Sequence, residues 1–311
     1  MADVVITEFM EDGAVASLSQ RYDTLYDPEL VAKPEALAGQ LAGARALIVR
    51  NRTQVDEGLL AGASALRVVG RLGVGLDNIA LEACRARDIT VIPASGANDD
   101  SVAEYVIAGA LMLRRGAYFD TAEVGAGHWP RNRLMAGREV LGATLGLVGF
   151  GSIARATARR AAALGMRLLA HDPHVADDDP AWGELNVAPR SLNALLEAAD
   201  VVSLHVPLSA GTRNLIDAAA LARMKIDAIL INSARGGVVD EQALADALRA
   251  GRLGAAMIDV FETEPLLGGG PLNDVPNLIL TPHIAGVTAE SNVRVSRMIA
   301  DEVIAALEAL P

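Results

Sequence analysis

The stretch TLGLVGFGSIARATARRAAALGMRLLAHD, which ends at Asp172, constrains the fold more than any other part of the chain. It reads as strand, glycine turn, helix, strand and terminal acid, the parts of a dinucleotide-binding βαβ unit. Leu145, Leu147 and Val148 form a short apolar run that stops at Gly149, and Ile153, Ala156, Thr157 and Ala161 then recur at helical spacing. Gly149 permits the tight bend, and Gly151 lets the backbone approach a pyrophosphate. The helix beginning at Ser152 and Ile153 attracts that anion through its free N–H groups and dipole. The third position is Ala154, which close helix–strand packing tolerates. Asp172 stands 21 residues after Gly151, where a carboxylate accepts hydrogen bonds from an adenosine ribose. With no Arg or Lys beside it, the acid repels a 2′-phosphate, so NAD is expected rather than NADP.

A length of 311 residues suggests two domains, and 51% hydrophobic content supplies two cores. The net charge of −12 argues against nucleic acid or an anionic membrane as partner, so an anion must be held by local arginines. Cys84 is the only cysteine, which rules out an intrachain disulfide and a thiolate metal cluster and fits a reducing cytoplasm. No metal is expected. The start MADVVITEF reads as a strand without a basic leader, and no run approaches 18 uncharged apolar residues, so neither signal peptide nor membrane span is expected.

Two sets of alternating elements appear. Strands are expected near Val4–Thr7, Ala46–Val49, Arg67–Gly70 and Thr90–Ile92, a small parallel α/β domain. After Ser101, the residues Val102, Tyr105, Val106, Ala108, Gly109, Leu111, Met112 and Leu113 form a long apolar helix, expected between domains or subunits. Six strands follow, at Thr144–Val148, Arg167–Ala170, Val201–Leu204, Ile229–Ile231, Ala255–Ile258 and Leu278–Leu280, matching a doubly wound Rossmann sheet. The dinucleotide motif lies in mid-sequence. A Rossmann domain over 99–283 is therefore expected as an insertion in a smaller flavodoxin-like α/β domain made of 1–98 and 284–311, with the helix Thr288–Leu310 returning to it. The loop Gly268, Gly269, Gly270 and the run Asp177, Asp178, Asp179 are taken as solvated.

Ligands of open α/β sheets sit beyond the carboxyl ends of the strands. Past the six expected ends come Gly149, Asp172, His205, Asn232 with Arg235, Asp259, and His283. His283, in ILTPHIAG, is the best acid/base candidate, because imidazole exchanges protons near neutral pH. Glu264 can fix its tautomer, and Arg235 can grip a carboxylate with two parallel hydrogen bonds. Each residue taken alone also fits a structural role: a cap or core histidine, a solvated acid, a surface ion pair. His128, His171 and His174 are read as loop residues, and His205 as lining the nicotinamide pocket. Arg50 and Arg71 follow consecutive strand ends and are expected to project into one cleft. The turn Leu72-Gly73-Val74-Gly75 offers N–H groups to a carboxylate. Two arginines and a turn imply a substrate with more than one anionic group, unless both arginines are simply solvated.

These residues resemble the NAD-dependent D-2-hydroxyacid dehydrogenases, in the branch of D-3-phosphoglycerate dehydrogenase. The likeness runs through LIVRNRTQV, VVGRLGVGLDNI, NDDSVAEYV, GHWPRN, TLGLVGFGSIA, LHVPLSAGT, INSARGGVVDE, MIDVFETEP and TPHIAG. It implies a catalytic triad of Arg235, Glu264 and His283, with His283 as the acid that protonates the keto oxygen. It also implies Asp259 near the nicotinamide carboxamide, His205 and Pro207 beside the cofactor, and Val74 and Gly75 at the substrate carboxylate. A homodimer through the nucleotide domains and closure of the cleft are implied as well. Ala80 and Ala154 depart from the family pattern without touching the triad. The chain runs 28 residues past His283, so a regulatory C-terminal domain is not expected. Within the branch, the start MADVVITEFM with VRNRT and GRLGVGLDNI is most similar to (S)-3-sulfolactate dehydrogenases. The implied substrate is a small 2-hydroxy acid or its 2-keto form with a second anion: 3-sulfolactate/sulfopyruvate or 3-phosphoglycerate/3-phosphohydroxypyruvate. Arg50 and Arg71 suit either anion, and Arg131 or Arg133 could help, including from a partner subunit. The alternatives are a general glyoxylate/hydroxypyruvate reductase and a non-enzymatic NAD-sensing protein like the corepressors that share this fold.

Overall fold

The computed structural model describes residues 2–176 and 178–310. It consists of two compact units: one contains the chain as far as Asn98 together with the residues from Val287 onward, and the other runs from Asp99 to Gly286.

The first unit holds a parallel five-stranded sheet made of β1 (Val4–Ile6), β2 (Thr24–Tyr26), β3 (Ala46–Val49), β4 (Val68–Arg71) and β5 (Thr90–Pro93). The order β2-β1-β3-β4-β5 is the flavodoxin-like order. Strands β1 and β3 are buried throughout, as expected of strands covered on both faces. The helix Ala289–Glu308 lays Val295, Ile299 and Val303 on this sheet. A Cβ on Gly70 would come within 2.8 Å of Ile299 Cγ2, so the missing side chain lets the helix seat closely. Thr288 caps the helix instead of opening it, in a reciprocal capping box with Ser291.

The second unit holds a parallel seven-stranded sheet: β6 (Thr144–Val148), β7 (Arg167–His171), β8 (Val187–Pro189), β9 (Val201–Leu204), β10 (Ile229–Asn232), β11 (Ala255–Ile258) and β12 (Leu278–Leu280). Its order, β12-β11-β10-β9-β6-β7-β8, places the topological switch between β6 and β9.

Several expectations need correction. Two short strands, β2 and β8, were not anticipated, because TLY and VAP lack the continuous apolar run that marks the equally short β1 and β12. The helix Asp99–Arg115 lays Val106, Ala110 and Leu113 on the core of its own unit, with Leu147 and Ile231, and leaves Leu111 exposed on its other face. A Cβ on Gly109 would meet Met257 Sδ at 2.6 Å, which shows how closely this helix lies on the sheet. His171 is no loop residue but the last of β7, its Nδ1 3.0 Å from the Arg190 carbonyl. Asp179 is more than a solvated acid. It caps the helix Pro180–Glu184 and meets Arg155 Nη2 at 3.3 Å, while Asp177 lies outside the described residues.

Candidate active site

The two glycines of the turn after β6 exist for different reasons. Gly149 has φ 92°, and a Cβ there would lie 2.7 Å from the His205 carbonyl oxygen. The fold itself forbids a side chain at this point, where Gly149 N–H donates to His171 O and His205 N–H donates to Val148 O. Gly151 has an ordinary φ of −75°, and a Cβ there would meet no protein atom within 4 Å. It is the N-cap of the helix Ser152–Ala163 and supplies no side-chain acceptor to the first turn. Ser152 is exposed and Ile153 half-buried, whereas Ala154 is fully buried against the sheet. Asp172 braces the turn from the end of β7, accepting from Phe150 N–H at 2.8 Å and His174 N–H at 2.9 Å. It remains half-buried, and each carboxylate oxygen keeps acceptor capacity. An open cradle over Gly151, a helix start without a side-chain cap and a reachable acid fit the pyrophosphate and ribose of NAD.

The imidazole of His205 turns back toward its own strand, with Nε2 3.0 Å from Ser203 Oγ. Burial pushes its pKa down to about 4, so the ring is neutral at pH 7. The exposed Pro207 offers its carbonyl to Thr212 Oγ1 at 2.6 Å.

At the other half of the same sheet edge, His283 Nδ1 lies 2.8 Å from Glu264 Oε2. His283 has φ 54°, a left-handed conformation costing on the order of 1 kcal/mol, which its surroundings must hold in place. They do so: His283 N–H donates to Asp259 O at 2.8 Å. Glu264 Oε1 accepts from Phe261 N–H at 3.0 Å. Burial by itself would raise the Glu264 carboxyl. The hydrogen bonds from His283 and Phe261 and the charges of His283 and Arg235 outweigh burial and hold it below its usual value.

Arg235 reaches this pair through the loop after β10. Asn232 shapes the loop, donating from Nδ2 to Arg235 O at 3.0 Å and accepting from Ala234 N–H at 3.1 Å. A Cβ on Gly236 would sit 1.8 Å from Phe261 O, so the Arg235 loop presses directly on the backbone that leads to Glu264. The guanidinium also donates from Nη1 to Ala234 O at 2.6 Å. The structure thus brings Arg235, Glu264 and His283 together.

Asp259 is fully buried. Its Oδ1 accepts from Thr281 Oγ1 at 2.6 Å and Ile284 N–H at 2.9 Å, and its Oδ2 from Ala285 N–H at 2.8 Å. Sequence reasoning passed over Thr281, Tyr105 and Gly236. Polar residues buried under a loop leave no periodic trace, and only the TPH tripeptide hinted at a rigid turn.

In the first unit, Arg50 follows β3 and Arg71 is the last residue of β4 rather than the one after it. Glu8 is buried and accepts the N–H groups of Arg50, Arg52 and Thr53 at 2.9, 3.2 and 3.0 Å, which shapes the loop carrying Arg50. Arg50 Nη2 donates to Asn292 Oδ1 at 2.9 Å, and its guanidinium lies 5.7 Å from the Phe9 ring centroid. Burial lowers the Arg50 pKa, with Glu8 and Tyr26 opposing it. At Gly73, φ is 151° and a Cβ would fall 1.6 Å from Arg71 Nη1, so the guanidinium folds over the turn. Val74 is exposed and Gly75 half-buried. Arg131 and Arg133 belong to the short helix Arg131–Leu134, and Arg133 Nη2 pairs with Asp120 at 2.8 Å.

A doubly wound parallel sheet with a glycine turn at its switch point, and a His–Glu–Arg cluster along the same edge, defines a nucleotide-dependent oxidoreductase. Residues 107–285 match the family described as D-isomer specific 2-hydroxyacid dehydrogenase, NAD binding domain, and the chain belongs to that family. It is an NAD-dependent oxidoreductase. The chain is 59% identical to an (S)-sulfolactate dehydrogenase of Chromohalobacter salexigens, across 99% of both chains. It is 39% identical to a D-3-phosphoglycerate dehydrogenase of Mycobacterium leprae over 98% of its own length, spanning 56% of that relative. Among solved structures it resembles a D-lactate dehydrogenase of Aquifex aeolicus complexed with NAD and lactic acid. The TM-score is 0.85 with 27% identity, covering 98% of this chain and 95% of that one. No helix among the described residues is long and apolar enough to cross a membrane.

Proposed function

We propose that the protein transfers hydride between NAD and C2 of a small D-configured 2-hydroxy acid with a second strong anion at C3. The favoured pair is 3-sulfolactate and sulfopyruvate. The hydrogen bond between His283 Nδ1 and Glu264 Oε2, with Arg235 beside it, carries the reaction type. The relative matched end to end at 59% identity supports the sulfonate over the phosphate. When bound, NAD supplies or accepts the hydride. Glu264 holds the Nδ1 proton of His283, so Nε2 is the nitrogen that exchanges a proton with the substrate. In reduction Nε2–H gives its proton to the keto oxygen as C2 gains hydride, and in oxidation Nε2 takes the hydroxyl proton. Arg235 grips the carboxylate at C1 through two N–H groups and polarises the neighbouring carbonyl.

We also propose a cytoplasmic homodimer formed through the nucleotide-binding unit. Tyr118, Phe119, Trp129, Met135 and Leu141 stand 41–79% exposed on that unit, more apolar surface than solvent favours. Sedimentation analysis should then give twice the 32.4 kDa chain mass.

Initial rates with NADH test the substrate. Sulfopyruvate should exceed hydroxypyruvate and glyoxylate in kcat/KM by about 100-fold, the worth of one or two charge-assisted hydrogen bonds. Equal efficiency with the uncharged-tail acids overturns the double-anion reading, and faster 3-phosphohydroxypyruvate turnover assigns the phosphate instead.

A further inference from the structure

Asp259 has an unusual set of partners. Its two oxygens face only the segment that carries His283: the Thr281 hydroxyl and the Ile284 and Ala285 N–H groups. Its own carbonyl takes the His283 N–H. Behind it, Tyr105 OH of the helix Asp99–Arg115 lies 2.6 Å from Thr281 Oγ1. A threonine hydroxyl has one proton, and Thr281 spends it on Asp259, so Tyr105 is the donor to Thr281. The direction Tyr105 to Thr281 to Asp259 is thereby set. Burial, opposed by the Thr281 bond and reinforced by Asp259, raises the Tyr105 pKa, which keeps the phenol protonated across any working pH.

We propose that Tyr105 and Thr281 are positioning residues, a hydroxyl chain that orients the Asp259 carboxylate against the Ile284 and Ala285 N–H groups and so fixes His283 in its left-handed conformation toward Glu264. This rests on the assignment of His283 as proton donor. The physical reason is that His283 stands at φ 54° directly after a proline, and beside one local bond, from its N–H to the Thr281 carbonyl at 3.1 Å, the partners that hold the turn come from Asp259. The turn is maintained from behind, by a buried acid that accepts three of its donors. Without the Thr281 hydroxyl, the carboxylate keeps one amide on each oxygen and is held less tightly about its χ2 bond.

The test uses the full chain with Thr281→Val, Thr281→Ser and Tyr105→Phe. Thr281→Val should lower kcat for sulfopyruvate reduction about 10-fold. The KM for sulfopyruvate and the Kd for NADH, read by fluorescence, should stay within about threefold. In the same variant without cofactor, amide hydrogen exchange in the peptide spanning residues 281–286 should quicken at least 10-fold while the glycine-turn peptide is unchanged. Thr281→Ser should restore both readouts, and Tyr105→Phe should show both at a few-fold. Unchanged exchange at 281–286 in Thr281→Val and Tyr105→Phe overturns the proposal, as does a serine variant no better than valine. Should Thr281→Val fail to fold, Tyr105→Phe and Thr281→Ser decide alone. If the wild-type protein reduces none of the keto acids, the functional reading fails, whereas the exchange measurement still judges the hydroxyl chain.

Discussion

The turns that follow β6 and β12 are built by the same device and used differently. In each, an acid at the end of a neighbouring strand reaches across and accepts backbone N–H groups of the turn: Asp172 takes Phe150, and Asp259 takes Ile284 and Ala285. Asp172 stays half-buried, with acceptor capacity to spare, so one carboxylate can brace the turn and also meet a ribose. Asp259 is wholly buried and already accepts three donors from the turn that carries His283. Position at a strand end makes both acids look like ligand residues. What differs is their exposure and the number of donors from the turn that each already holds.

That contrast can be broken by exchanging each acid for alanine. Asp259→Ala leaves two N–H groups, that of Ala285 buried, and a hydroxyl without their acceptor and should cost about 3 kcal/mol, at ~1–3 kcal/mol for each orphaned group with partial relaxation. Asp172→Ala should cost about 1 kcal/mol and weaken NAD binding about 10-fold. Urea unfolding and cofactor titration on the two proteins check this, and equal stability losses would erase the distinction. The chemistry of the second turn is probed by His283→Ala, for which turnover should fall by roughly 100-fold while NAD affinity stays near wild type, the usual contribution of a general acid. Undiminished turnover removes His283 from that role.

A smaller effect sharpens the picture of the first turn. Gly151→Ala has room within the protein and an unstrained φ, so its thermal midpoint should match wild type while NAD binds about 10-fold more weakly. Gly149→Ala, by contrast, should fail in stability before binding can be assessed. Loss of stability at Gly151 would mean that the protein, not the ligand, demands that glycine. The smallest effect concerns pH. The pKa of His205 is pulled down to about 4 when folded against an ordinary 6.5 unfolded, so the unfolded state binds the extra proton between those values. Stability therefore falls as pH drops from 7 to 5. His205→Gln should lose less of its urea midpoint over that interval, and an identical slope would show the ring is not held neutral.

The sequence made the nucleotide-binding half legible because its signals are local. Glycines two residues apart, a helical repeat and an acid at the next strand end announce themselves within thirty positions. Arg235, Glu264 and His283 were also findable, since parallel strands deliver their carboxyl ends to one edge. What joins them was not. The clasp of Gly236 on the Phe261 backbone and the path from Tyr105 through Thr281 to Asp259 link residues far apart in the chain, and nothing in their neighbours marks them. The same holds for Glu8, whose three amide bonds organise the Arg50 loop from more than forty residues away. Short edge strands such as β2 and β8 escaped for a simpler reason, since their residues, TLY and VAP, form no continuous apolar run.

A crystal structure with NAD and 3-sulfolactate bound tests the central assignment most directly. The account predicts the C2 hydroxyl within hydrogen-bond distance of His283 Nε2 and the C1 carboxylate on the Arg235 guanidinium, with Glu264 still on Nδ1. A C2 oxygen met by some other group, with His283 turned away from it, would contradict the account.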